Sequence, residues 1–236
     1  MDPVKPSTHP AASGRGRSRA TRSRITKAAA ELFAERGFTR TTMADIAAAA
    51  GVAVQTVYFV FHTKTEVLDS AYGLAVMGEA DPAVPQDQAW YRQALAEPDF
   101  SIAVQLVVDG LSEILRRVAP LDFAVRTAAA ADPDASAFLT RNEGMRAGGY
   151  REMVGLLSRK CPLRENLTEA RATDLMLFLA SPGAYRALVL ERGWTHAEWV
   201  AWTSGVLAEQ LFEGGGRPSD QPAALRGSGE IQHKRE

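Results

Sequence analysis

Among the polar side chains between positions 41 and 64, seven have a type and a placement suited to reading or gripping a polyanion: Thr41, Thr42, Gln55, Thr56, Tyr58, His62 and Lys64. A glutamine amide pairs bidentately with an adenine edge in the major groove, and a threonine meets a thymine methyl or a phosphate. Tyrosine, lysine and a hydroxyl at a helix N-terminus hold phosphates, and His62, just ahead of Lys64, is placed to touch one too. Other chemistry is poorly supplied. His9, His62, His196 and His233 stand at no metal-ligand spacing, Cys161 has no nearby histidine to activate it, and neither a glycine-rich phosphate loop nor a nucleophile elbow occurs. No catalytic residue, metal or cofactor is expected.

For these side chains to act together, short helices must hold them. Thr42 opens a Thr-x-x-Asp capping signal over Asp45, which predicts a helix over residues 43–50 stopped by Gly51. A second short helix over 54–60 completes a helix-turn-helix, whose second helix would enter the major groove with Gln55 and Thr56 in its first turn. A preceding helix over 22–36, with Ile25, Ala29, Leu32 and Phe33 on one face and Gly37 as its stop, supplies the third wall of a small core. Thr63 and Glu66 signal a further helix carrying Val67, Leu68, Ala71 and Leu74.

The run Ala28-Ala29-x-x-Leu32-Phe33-x-x-x-Gly37-Phe38-x-x-Thr41-Thr42-x-x-x-Ile46-Ala47-x-x-Ala50-Gly51-Val52, followed by Val57-Tyr58-x-x-Phe61-x-x-Lys64 and Leu68, resembles the DNA-binding domain of tetracycline-repressor-type (TetR family) transcriptional regulators. The resemblance implies DNA contacts for Thr42, Thr56, Tyr58 and Lys64, and a helical ligand-sensing and dimerisation domain after residue 65. Ala53 stands where the family often has Ser or Thr, and Val60 where an aromatic residue or His is common.

Charge divides the chain in the same place. Residues 1–64 hold 10 Lys and Arg against 4 Asp and Glu, and residues 65–236 hold 17 against 24, so a basic head sits on an acidic body. A disordered basic tail is expected over 1–19, a helix-turn-helix domain over 20–64, a ligand-sensing and dimerisation domain over 65–213, and a second disordered tail over 214–236. Arg15, Arg17 and Arg19 read either as a solvated tail or as a minor-groove arm.

Apolar periodicity predicts an all-α body: a short helix near 90–95, a long one from 100 to Pro120, another over 121–131, one from Asp132-Pro133 to about 160, one capped by Thr168, a break at Pro182-Gly183, and a last helix opened by Thr195 and Glu198. Candidate walls of an effector site are Trp90, Phe123, Arg126, Phe138, Met145 and Tyr150, with Arg126 the one group for an acidic ligand. The apolar run containing Leu175 and Phe178, together with one face of the last helix, Trp199, Trp202, Val206 and Gln210, is the candidate two-fold interface.

The expected protein is a cytoplasmic, homodimeric, sequence-specific DNA-binding regulator, a repressor released from a palindromic operator by an apolar or aromatic effector. Apolar runs such as 175–180 fall far short of the roughly 18–20 residues of a membrane span, no secretory leader is evident, and one cysteine fits a reducing compartment. A helical enzyme or carrier, and a membrane-surface binder, are the competing readings.

Overall fold

Helix signals written in short-range sequence decide most element boundaries. A computed structural model describes residues 11–78 and 85–213, and no β-strand occurs among them beyond an isolated antiparallel bridge between Leu163 and Phe212. Helix α1 (Ala11–Arg36) stops at Gly37, whose φ of 82° suits a residue without a Cβ. Helix α2 (Met43–Ala50) stops at Gly51 with φ 63°, and α3 (Val54–Val60) follows immediately. Helix α4 (Lys64–Met77) leads to a 3₁₀ turn (Pro85–Asp87), then α5 (Ala89–Ala96), α6 (Phe100–Ala129) and α7 (Pro133–Ser158). The chain closes with α8 (Glu169–Leu179), α9 (Pro182–Tyr185), a π-helical turn (Arg186–Glu191) and α10 (His196–Leu211).

Two expectations about boundaries are corrected. The stretch 11–19, expected as part of an irregular tail, is the beginning of α1. Extending a helix that packing has already nucleated costs far less than starting one. The remaining tail residues, 1–10 and 214–236, lie outside the described residues. The helix expected to end near Pro120 instead runs on as a single 30-residue α6. Proline removes one intrahelical bond at a cost of about 3 kcal/mol. Val118, Ala119 and Leu121 are all at most 3% exposed beside it, and burying apolar side chains contributes about 1.5–3 kcal/mol each, enough to offset that loss.

Two buried clusters result. The first joins α1 to α4 with the far half of α6 and the start of α7, from Ile25, Phe33, Phe38, Ile46, Val57 and Phe61 through Leu68 to Val125 and Phe138. The second joins the near half of α6 with the end of α7, α8, α9 and α10 around Leu157, Tyr185, Trp199 and Phe212. Trp90 packs against both. Helix α4 is shared between head and body: Arg117 of α6 donates from Nε to the Ala75 carbonyl at 2.7 Å and from an Nη to the Val76 carbonyl at 3.2 Å.

Candidate nucleic-acid interface and ligand cavity

The helix-turn-helix is built from the bottom by caps. The Thr42 hydroxyl accepts from the Asp45 amide at 3.1 Å while the Asp45 carboxylate takes both the Thr42 amide (2.8 Å) and its hydroxyl (2.6 Å). These bonds from Thr42, with help from the charge of Arg36, hold the Asp45 carboxyl below its usual range. At the other end of α2, the Gly51 amide returns to the carbonyls of Ala47 and Ala48. Helices α2 and α3 thereby cross at 105°, within the range of helix-turn-helix units. Met43, Ile46, Ala47 and Val57 turn inward and are buried. The opposite side of α3 is bare: Gln55 is exposed, Tyr58 is 50% exposed and Phe59 is 84% exposed.

The seven candidate DNA contacts therefore separate. Gln55, Tyr58 and His62 share an open surface, and Thr56 is half-buried beside them. Thr42 is exposed, but its hydroxyl is already engaged by Asp45. Lys64 is half-buried, its ammonium 4.2 Å over the Phe38 ring and bonded to the Phe38 carbonyl at 3.1 Å. Thr41 is corrected outright. It is fully buried, and its hydroxyl is shared between the Leu32 and Gly37 carbonyls, so it closes the end of α1 and faces no solvent. The capping box expected at Thr63 is half formed: Thr63 accepts from the Glu66 amide, while the Glu66 carboxylate accepts from the His62 amide. Phe59 escaped the sequence reading, because a large apolar residue on a short helix looks like core until the core is seen to be complete without it.

In the body, a cavity of about 500 Å³ opens between α4, α6 and α7, with Pro182 of α9 at its edge. Its walls are largely apolar, including Val76, Leu111, Leu115, Val118, Leu139 and Met153. Three glycines, Gly73, Gly148 and Gly149, line it where an added Cβ would meet only open space. Of the six candidate effector contacts, Arg126, Met145 and Tyr150 line this cavity. The other three are corrected. Phe138 is fully buried and packs edge-on against Tyr72 at 5.2 Å. Trp90 lies flush against Gly110 of α6, closer than any Cβ there would permit, and its indole N–H donates to Gln88. Phe123 is half exposed, lines a separate cleft of about 130 Å³, and carries the Arg186 guanidinium over its ring.

Arg126 is not open to an acidic ligand either. Its Nε donates to Asp122 at 2.6 Å and an Nη to Glu143 at 2.9 Å; desolvation works to lower its pKa, but these two carboxylates more than offset it. Asp122 is itself buried and also accepts from the Tyr72 hydroxyl at 3.2 Å. Tyr150 donates its hydroxyl to the Ala180 carbonyl, and burial pushes its pKa up to about 12.

The candidate interface also divides. Trp199 is fully buried in its own core against Tyr185, so it reaches no second subunit. Trp202 is 41% exposed with its ring edge-on to Trp194, Gln210 is exposed and Val206 is half-buried. Within the run 175–179, Met176 faces inward, while Leu175 is 41% and Phe178 75% exposed. No single helix among the described residues is long and apolar enough to cross a membrane.

Comparison with known proteins agrees with this architecture. Residues 25–71 match the profile of the bacterial regulatory proteins of the tetR family. Among solved structures, one from Rhodococcus sp. assigned to the TetR family of transcriptional regulators superposes with a TM-score of 0.64 at 15% identity, covering 82% of this chain and 99% of that one. NalD, the secondary repressor of the MexAB-OprM multidrug efflux pump in Pseudomonas aeruginosa, gives 0.61 at 20% identity over 84% and 99%. The transcriptional regulator FadR from Bacillus subtilis, solved with stearoyl-CoA, gives 0.64 at 14% identity over 80% and 98%. No curated protein sequence matches. A helix-turn-helix within the matched residues 25–71 and a helical body behind it give the chain the fold of these transcriptional regulators.

Proposed function

We propose that two copies of this chain form a homodimer that represses transcription by placing α3 of each in successive major grooves of a palindromic operator, and that a small molecule in the α4–α6–α7 cavity releases it. The observation that carries this reading is the double role of α4. Its start is buried with the DNA-binding unit through Val67, Leu68 and Ala71, and its later turns, at Tyr72, Gly73, Val76 and Met77, form one wall of the cavity. A molecule that fills the cavity pushes on the helix that carries the head. In a dimer the two recognition helices must stand about 34–36 Å apart, and a ligand that prefers another spacing lowers operator affinity by its difference in affinity for the two states. That a regulator of the same fold, FadR from Bacillus subtilis, was solved with stearoyl-CoA supports a small-molecule ligand.

On DNA, Gln55 reads a base, Phe59 gives apolar contact to a thymine methyl or sugar, and Tyr58, Thr56 and Lys64 hold phosphates. The dimer forms through the exposed side of α8 and α10, where Leu175, Phe178 and Trp202 leave apolar surface open. Operator DNA selected from a random pool, or the promoter flanking the chain's own gene, tests the reading by gel shift. Gln55→Ala should cost about 1–3 kcal/mol on the selected site and little on random DNA. Equal loss on both would remove Gln55 from base reading. Phe178→Glu should give a monomer in sedimentation and lose most operator affinity, and a Phe178→Glu dimer would move the interface off α8.

A further inference from the structure

Among the described residues, every charged side chain lining the cavity has a hydrogen-bond partner except one. Asp122 and Glu143 share Arg126, Asp69 accepts from Arg141 at 2.7 and 2.9 Å, and Glu152 accepts from the Gln86 amide at 2.6 Å. Arg146 of α7 has a buried Nε with no hydrogen-bond partner, and no carboxylate of the described residues pairs with it. Its positive charge is felt by the hydroxyls of both Tyr72 and Tyr150, where it opposes the upward push of burial. Those hydroxyls donate to Asp122 and to the Ala180 carbonyl, and neither accepts from the Arg146 Nε. A half-buried guanidinium left without an anion on an apolar wall is costly, and a ligand that brings the anion recovers that cost.

We infer that the effector is a mainly apolar molecule carrying one carboxylate, seated with its acid on Arg146 and its body along the Leu111, Leu115, Val118 and Met153 wall. The inference rests on the effector reading given above and names its ligand class. The acid belongs at Arg146 and not at Arg126, which two carboxylates already hold. It does not belong at the Gln86 side either, where the other lining atom buried without a partner, Gln86 Oε1, is an acceptor.

The test uses the full chain and three probes with one tail: decanoate, decanamide and decylamine, titrated by calorimetry. Decanoate should bind about 10- to 100-fold more tightly than decanamide, the worth of a charge-assisted bond in a partly buried site. Arg146→Gln should abolish that preference while leaving decanamide binding unchanged, and Arg146→Lys should keep part of it. Circular dichroism should find Arg146→Gln folded, since the arginine makes no hydrogen bond or ion pair among the described residues. Equal binding of acid and amide, tightest binding of decylamine, a preference that survives Arg146→Gln, or no binding of any probe would each overturn the inference. Operator release is read separately by gel shift. Decanoate that binds through Arg146 yet leaves the operator complex intact would keep the anion site and sink the effector reading; operator binding that fails without any probe would sink only the DNA reading.

Discussion

The DNA-binding unit and the body solve the same packing problem to different degrees. In the first, Ile25, Ala29, Phe33, Ile46, Val57 and Phe61 are all fully buried, and the caps at Thr42 and Gly51 satisfy the ends of α2 internally. In the second, α4, α6 and α7 fail to close, and three glycines widen the gap instead of filling it. A unit that must present one rigid helix to a fixed groove gains from complete packing. A unit that must accept a guest gains from a void, and the void exacts dispersion contacts and unmatched polar groups.

The largest expected effect tests that contrast directly. Phe33→Ala should cost about 3–5 kcal/mol in chemical denaturation, whereas Met145→Ala, on the cavity rim and 61% exposed, should stay within about 0.5 kcal/mol. Comparable losses would mean that the cavity collapses in solution and that the two regions pack alike.

Glycines within the body sharpen the comparison further. A Cβ at Gly110 would lie 2.1 Å from the Trp90 ring, so Gly110→Ala must displace the indole and should cost about 1–3 kcal/mol despite alanine's better helix propensity. An unchanged midpoint would show that Trp90 moves freely.

Removing the head's cap should be milder. Thr42→Ala should lose about 1 kcal/mol. Because the folded Asp45 carboxyl is held below its ordinary value, its contribution is present at neutral pH and is lost as pH falls through the folded value. The gap between wild type and Thr42→Ala should therefore narrow below about pH 4. A gap that is constant with pH would place the cap's worth in the hydroxyl alone.

The smallest effect has the opposite sign. Gly148→Ala adds a methyl where nothing lies within 4 Å and should stabilise α7 by about 0.5–1 kcal/mol while narrowing the cavity. Calorimetry with decanoate should then show weaker binding to the more stable protein, and tighter binding would mean that the glycine faces away from the guest.

Legibility followed the range of each interaction. The boxes at Thr42–Asp45 and Thr195–Glu198 and the left-handed turn at Gly51 each involve residues within a few positions, and the structure holds them where the spacing placed them. Thr41 and Thr42 look alike as adjacent threonines, yet only burial under α1 separates a structural hydroxyl from an exposed one. Trp199 and Trp202 share a helical face by spacing, but α9 covers the first through Tyr185 and leaves the second open. Arg126 was the one cation that the sequence offered for an acidic ligand, and only the fold hands it to Asp122 and Glu143 and leaves the Arg146 Nε without a bond.

By itself the sequence determined the helical class, the caps and stops, and the helix-turn-helix with its bare reading surface, because each depends on neighbours along the chain and on a core small enough for three helices to close. Only the tertiary structure decided that α6 runs through Pro120, that a cavity remains, and which arginine in it lacks a partner among the described residues. Those outcomes are sums over residues distant in sequence, where burial outweighs local propensity and where the fold sets which carboxylate comes within reach of which cation.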